Sequence, residues 1–234
     1  MKKTSLLATL MQRIGFCLAV LMCAVAPLLT SCEENLDEDN KYVNWKARNS
    51  EAFLLRLSEA KQAIAQAQAQ YGTEWEKHCK WRLFRTYCLP EEAPANATDT
   101  VCVEIIEAGT GSGYPLYTDS VRVNYLGRLI STDLEQPLGT LGEPFDHSGY
   151  SSDPADVFDP RFAVPATFLV SNTVEGFTTV LQHMRIGDLW RAYIPQELGY
   201  ASAASAALPA YSMLIFDVQL KSYYRAGAVP PNWK

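Results

Sequence analysis

The chain has 234 residues, 48% of them hydrophobic, which is enough to bury one sizeable core with attachments around it. It carries 20 basic against 26 acidic residues, a net charge of −6. That balance leaves no basic stripe to displace counterions from phosphate, so it argues against nucleic acid and against an anionic membrane surface as partners.

Residues 1–31 read as a leader rather than as part of the fold. Lys2, Lys3 and Arg13 make a positive start, residues 16–29 are almost wholly apolar, and small residues follow, which is the layout of a secretory signal and too short a run for a bilayer crossing. The end of the run, Leu29-Thr30-Ser31-Cys32, resembles a bacterial lipobox. On that resemblance cleavage falls before Cys32 and its thiol carries lipid, the alternative being an ordinary signal with an incidental cysteine. Taking residues 1–31 away removes three basic residues and no acidic one, leaving the remainder at −9. An acidic linker, residues 32–44, comes next, with Glu33, Glu34, Asp37, Glu38 and Asp39 and nothing to bury. It either resembles the export signal of surface lipoproteins of Bacteroidetes or simply spaces the domain from a membrane.

Residues 45–90 read as a helical segment. Phe53, Leu57, Ala60, Ile64, Ala67 and Tyr71 step by four and three along one face, a narrow apolar stripe. The stripe is either a seam for a homodimer through residues 49–71 or, favoured by the small Ala60 and Ala67, a face packed on its own domain. Gly72 stops this helix. Thr73 and Glu76 have capping-box spacing, so a second helix, rich in aromatics, is expected to run on to about Tyr87. Residues 91–100 read as a linker. Of the six cysteines, Cys17 and Cys23 leave with the signal and Cys32 is taken by lipid; Cys79, Cys88 and Cys102 remain, with Cys79 and Cys88 the nearest pair. There is no Cys-x-x-Cys, and His78, His147 and His183 are scattered, so no metal or other cofactor is expected.

Residues 101–225 read as the main domain, with a tail at 226–234. Strands are expected at 101–107, 120–130, 166–170 and 213–220. The glycine-rich stretch 109–113 reads as a turn, because no Lys-Ser or Lys-Thr follows to cradle phosphate. Phe177, Val180, Leu181 and Met184 make one apolar face of a short helix. Residues 189–194 then alternate into a strand that Pro195 ends, as an edge or terminating strand would. The fold class is α+β: a curved antiparallel sheet wrapped around one short helix, preceded by a small helical segment.

The order of these motifs resembles the FKBP family of peptidyl-prolyl cis-trans isomerases. The matching pieces are residues 109–113, Asp119 to Gly127 with Tyr125, Phe145-Asp146-His147-Ser148, Val174-Glu175-Gly176-Phe177, Met184 to Asp188, Ile194-Pro195, Leu198-Gly199-Tyr200 and Leu208-Pro209, followed by Leu214 to Val218 with Phe216. The resemblance implies an apolar pocket for a prolyl ring lined by Tyr125, Phe145, Val174, Phe177, Tyr200 and Phe216, with Leu208 on an overhanging loop. Asp146 would accept a hydrogen bond at the mouth, and the Tyr200 hydroxyl and the Val174 amide would hold the substrate backbone. Such a pocket needs no nucleophile. Rotation about an X-Pro bond is opposed by a resonance barrier of roughly 20 kcal/mol, and the twisted, less polar state is the one an apolar pocket favours.

On this reading the chain is a prolyl isomerase, or rotamase, assisting the folding of proline-containing exported proteins in the cell envelope. It would be anchored by lipid on Cys32, at the outer membrane and facing either side. The rival is a non-catalytic peptide-binding module or holdase chaperone with the same fold. Tyr125, Val174, Phe177 and Phe216 would be apolar in the core of any small α+β domain. Phe145-Asp146 and Leu198-Gly199-Tyr200, beside turns, carry the functional weight. Three departures stand out. Phe177 occupies the floor position where tryptophan is commonest. Ala166 falls where an aromatic wall is usual, with Tyr150, Phe158 and Phe162 of the insertion 149–164 as candidate replacements for it. The loop 201–207 is made only of alanine and serine. A further insertion spans 131–144.

Overall fold

The computed structural model describes residues 41–90, 92–149, 158–205 and 207–233. Cys32, the leader, the acidic linker up to residue 40 and Tyr150 lie outside the described residues. Residues 42–234 form one compact unit. Its elements are α1 (Trp45–Tyr71), β1 (Trp81–Arg85), β2 (Thr100–Glu107), β3 (Ser120–Ile130), β4 (Leu141–His147), β5 (Ala166–Leu169), α2 (Glu175–Leu181), β6 (Leu189–Ile194) and β7 (Leu214–Tyr224). The strands make one antiparallel sheet in the order β1-β2-β6-β7-β3-β4, with β5 also paired to β3.

Alternation along each strand decides what each face of the sheet meets. One row across the inner face runs Val103, Ala192, Phe216, Gly127 in register. Phe216 therefore stands between two residues with almost no side chain, and that leaves room for its ring and its neighbours to lie against the sheet. A Cβ on Gly127 would sit 2.6 Å from the Phe216 ring and 2.8 Å from that of Phe145. Helix α2 covers this face, and its Gly176 lies against Ile194 of β6. A seven-residue helix has little stability of its own, so burial of Phe177, Val180 and Leu181 must hold it in place.

Helix α1 covers the outer face. Trp45, Phe53, Leu57, Ala60 and Ala67 are buried, and Arg56 lies over the ring of Tyr193, 5.6 Å from its centroid. The apolar stripe is thus spent on the chain's own sheet, not left as a free seam. Arg48 and Arg56 donate to the carbonyls of Ser131 and Gly139, at 2.6 and 3.4 Å, so the same helix pins the segment 131–140. The rest of the outer face is closed by Phe158, which packs with Leu126, Leu189 and Ala163. The tail returns to it as well, where Pro231 accepts from Arg122 and Trp233 stacks under the same guanidinium.

Four expectations are corrected. The second helix does not form: Gly72–Lys77 is a single 3-10 stretch with no side-chain cap, and Trp81–Arg85 is strand β1. In the strand Trp81 and Phe84 point to opposite faces, Trp81 beside Tyr193 and Phe84 beside Trp190. The sheet therefore begins before the linker 91–100, which joins two of its strands. Strand β6 is not an edge, since it pairs with β2 and β7; it does end at Ile194, directly before Pro195. A strand, β4, falls within the insertion 131–144 and runs on through Phe145 and Asp146, with register shifts around Pro144 that an outer strand tolerates.

Cys79, Cys88 and Cys102 are free thiols, and burial pushes that of Cys102 up to about 12. Among the described residues no helix is long and apolar enough to cross a membrane.

Candidate active site

Four rings from four elements converge on the inner face. Phe177 of α2 lies 4.7 Å from Phe216, Phe145 of β4 meets Phe216 edge-on at 5.5 Å, and Tyr125 of β3 is 6.2 Å from Phe216, all between centroids. Phe216 is the hub, for the reason given by its row. Pairing of Gly127 with Asp146 in the β3–β4 ladder puts Asp146 at the level of that hub.

Above the rings opens a cavity of about 280 Å³ lined by Phe145, Asp146, Tyr200, Leu208 and the small residues between the last two. Tyr200 is half exposed and Leu208 is buried. The loop that carries them closes on itself through Ala203 N to Tyr200 O at 2.9 Å and Tyr211 N to Ala201 O at 2.7 Å. Asp146 is exposed at the mouth and accepts the hydrogen bond of the Tyr125 hydroxyl. Burial pushes the Tyr125 phenol above its ordinary range and the neighbouring carboxylate pushes it further, so the hydroxyl stays neutral and donating throughout the physiological range.

Val174 precedes α2 as its N-cap, with φ −61° and ψ 149° and no side-chain cap. Among the described residues its N–H has no acceptor, while its carbonyl takes the Thr178 amide at 2.9 Å. The turn before it is tied by Thr178 Oγ1, 3.0 Å from Val170 O and 2.8 Å from Thr173 Oγ1. Helix α2 is also held from β1's side of the sheet. Thr86 Oγ1 donates to Glu175 Oε1 at 2.6 Å, and His183 stacks on Phe84 at 4.0 Å while Tyr87 O–H meets its Nε2 at 2.9 Å. Burial holds the His183 ring below its ordinary value, that is, neutral.

The arrangement suits a small apolar ring, with one carboxylate and one phenol at the rim and no activated nucleophile. Of the seven residues expected to line or rim the pocket, Phe145, Asp146 and Tyr200 line the cavity together with Leu208, Tyr125, Phe177 and Phe216 form the ring cluster with Phe145, and Val174 precedes α2. The wall expected from the 149–164 insertion is different. Phe158 is buried on the outer face, away from the cavity, and Phe162 is 60% exposed. The ring beside Tyr125 is instead Phe168, edge-on at 5.5 Å. It was legible as the next residue on Ala166's side of β5, two positions along.

Residues 113–221 match the family of FKBP-type peptidyl-prolyl cis-trans isomerases. They form an FKBP-type domain. The chain is 34% identical to the FKBP-type 22 kDa peptidyl-prolyl cis-trans isomerase of Escherichia coli (strain K12) over 117 residues, 50% of this chain and 46% of that one. It is 33% identical to the macrophage infectivity potentiator of Trypanosoma cruzi over 123 residues, 52% of each. With FkpA of E. coli (strain K12) the identity is 26% over 170 residues, 73% of this chain and 53% of the relative. The chain thus spans about half the length of these curated relatives. The FKBP-type match starts after β2, so α1, β1 and β2 stand outside it although the two strands belong to the same sheet.

Proposed function

We propose that the protein is a peptidyl-prolyl cis-trans isomerase that assists the folding of proline-containing chains, working in the cell envelope and tethered there by lipid on Cys32. The observation that carries the isomerase reading is the cluster of Tyr125, Phe145 and Phe177 around Phe216 beneath a cavity with Asp146 and Tyr200 at its rim. The lipobox-like Leu29-Thr30-Ser31-Cys32 and the acidic stretch after it support the tether. A relative from Legionella longbeachae carries the name outer membrane protein MIP, and the same membrane is the location proposed here.

In this mechanism the proline ring rests on Phe177 and Phe216, between Tyr125 and Phe145, and Leu208 closes over it. The Val174 amide and the Tyr200 hydroxyl hold the backbone on either side of the scissionless rotation. Asp146, at the exposed mouth beside Tyr125, accepts a hydrogen bond there. Loss of amide resonance makes the twisted state less polar than the planar one, so a dry aromatic site favours it, and each tenfold in rate needs about 1.4 kcal/mol of such preference.

The test is cis-trans isomerisation of short X-Pro peptides by the protein beside Tyr200→Ala and Asp146→Ala. Each variant is expected to keep its fold and lose about tenfold or more in kcat/KM. A folded protein with no rate above the uncatalysed background would remove the isomerase reading and leave a peptide-binding module.

A further inference from the structure

Apart from Phe145 and Asp146, the described residues lining the cavity all belong to the loop from Tyr200 to Leu208. With side chains of alanine and serine, that loop has little to hold itself in place. Its return limb, residues 209–213, is gripped from outside by the first two turns of α1. Trp45 Nε1 donates to Ser212 Oγ at 2.9 Å, and Ser212 Oγ donates onward to the carbonyl of Pro209 at 2.7 Å. Asn49 Oδ1 accepts the Met213 amide at 2.8 Å, while its Nδ2 is fixed by Trp45 O at 2.7 Å. Lys46 Nζ lies over the Tyr211 ring, 4.3 Å from its centroid.

These contacts are specific and costly to lose. Asn49, Trp45 and Ser212 are buried, and asparagine is a poor choice inside a helix unless its amide has work elsewhere. Tyr211 is held at φ 62°, in the left-handed region that a bulky residue enters only under constraint. The chain of bonds from Trp45 ends at Pro209, the neighbour of Leu208. A second route runs from Tyr211 N to Ala201 O, the neighbour of Tyr200.

We propose that Trp45, Lys46 and Asn49 are positioning residues for the cavity's roof: they set the height of Leu208 and the angle of Tyr200, and so decide which residue ahead of proline is accepted. This rests on the reading of the cavity as a prolyl site. It gives α1, which lies outside the family match, a part in selectivity rather than in the chemistry.

The experiment uses the full chain and a series of X-Pro peptides that differ only in X, taken as alanine, leucine, phenylalanine and glutamate. Ser212→Ala is expected to raise KM and to flatten the kcat/KM ranking across X by about threefold or more, with kcat nearly unchanged. Ser212→Thr, which keeps a hydroxyl, should restore the ranking. Trp45→Phe should act like Ser212→Ala, and the double variant should be no worse than either alone, because both cut one chain of bonds. Lys46→Ala sits at the surface and leaves the core intact, so it decides the matter if the buried variants do not fold; it should flatten the ranking in the same direction.

An unchanged ranking in folded Ser212→Ala and Lys46→Ala, with normal turnover by the wild type, overturns the positioning role and leaves the isomerase reading standing. If the wild type has no turnover, the isomerase reading is the one that fails, and the same peptides are titrated for binding. An affinity ranking flattened by Ser212→Ala then supports the positioning role; an unaltered ranking, or no binding by the wild type, overturns it.

Discussion

Val174→Pro is expected to fold as well as the wild type and to lose about 10- to 100-fold in kcat/KM toward X-Pro peptides. The backbone already has the form proline requires. Val174 sits at φ −61°, and the preceding Thr173 is extended at φ −96° and ψ 163°, the region a residue before proline prefers. Among the described residues the amide that proline removes has no acceptor in the fold, so no hydrogen bond of the native state is lost. Pre-setting φ can even stabilise by about 0.4–1 kcal/mol. On the proposed mechanism what disappears is the donor to the substrate carbonyl, and a buried acceptor left without a partner costs about 1–3 kcal/mol. Thermal melting beside peptide isomerisation separates the two effects. A well-folded variant with full turnover would show that the substrate backbone is held elsewhere.

The largest stability effect is expected on the other side of the sheet. Arg191 and Asp217 face each other across the β6–β7 ladder and form a two-pronged ion pair, Nε to Oδ1 at 2.7 Å and Nη2 to Oδ2 at 2.9 Å. The Asp217 side chain is only 2% exposed. Arg191→Ala leaves that carboxylate buried without its partner and should cost about 3–5 kcal/mol, read as a lower urea midpoint at constant slope. Replacing both residues with apolar ones of similar size, Arg191→Met with Asp217→Leu, should recover most or all of the loss, because two desolvated charges vanish together. A single Arg191→Ala variant as stable as the wild type would mean that water reaches Asp217. Neither side chain belongs to the cavity's lining, so peptide turnover per folded molecule should not change.

Alternation and glycine placement made much of this legible in the sequence. Strand β3 is found at residues 120–130 as expected, because Val121, Val123, Tyr125 and Gly127 alternate without interruption. The ring cluster was legible through order of motifs, since each ring comes from a different element and no spacing within one element announces it. Strand β1 was not legible. Trp81, Phe84 and Tyr87 recur every three residues, a helical signal, and a run of five residues is too short for periodicity to arbitrate. Strand β4 was hidden by Gly142 and Pro144, which break a central strand but are tolerated at an outer one. Phe168 shares Ala166's face of β5, so the wall that Ala166 lacks is supplied two positions along the same strand. The grip of α1 on residues 209–213 could not be read at all, because it joins residues separated by 164 and 167 positions in the chain.

The position of β7 in the strand order has a consequence for how the molecule comes into being. The last strand of this sheet to be synthesised is the one that bridges β6 and β3. Until Leu214–Tyr224 has emerged, the chain consists of two partial sheets, β1-β2-β6 and β3-β4-β5, each showing a bare edge of unpaired amides and carbonyls. Phe216 is carried on that same strand, so the apolar floor and the joining of the halves arrive in one event. A nascent molecule of this kind passes a long interval as an aggregation-prone client, and is itself the sort of chain for which folding assistants exist.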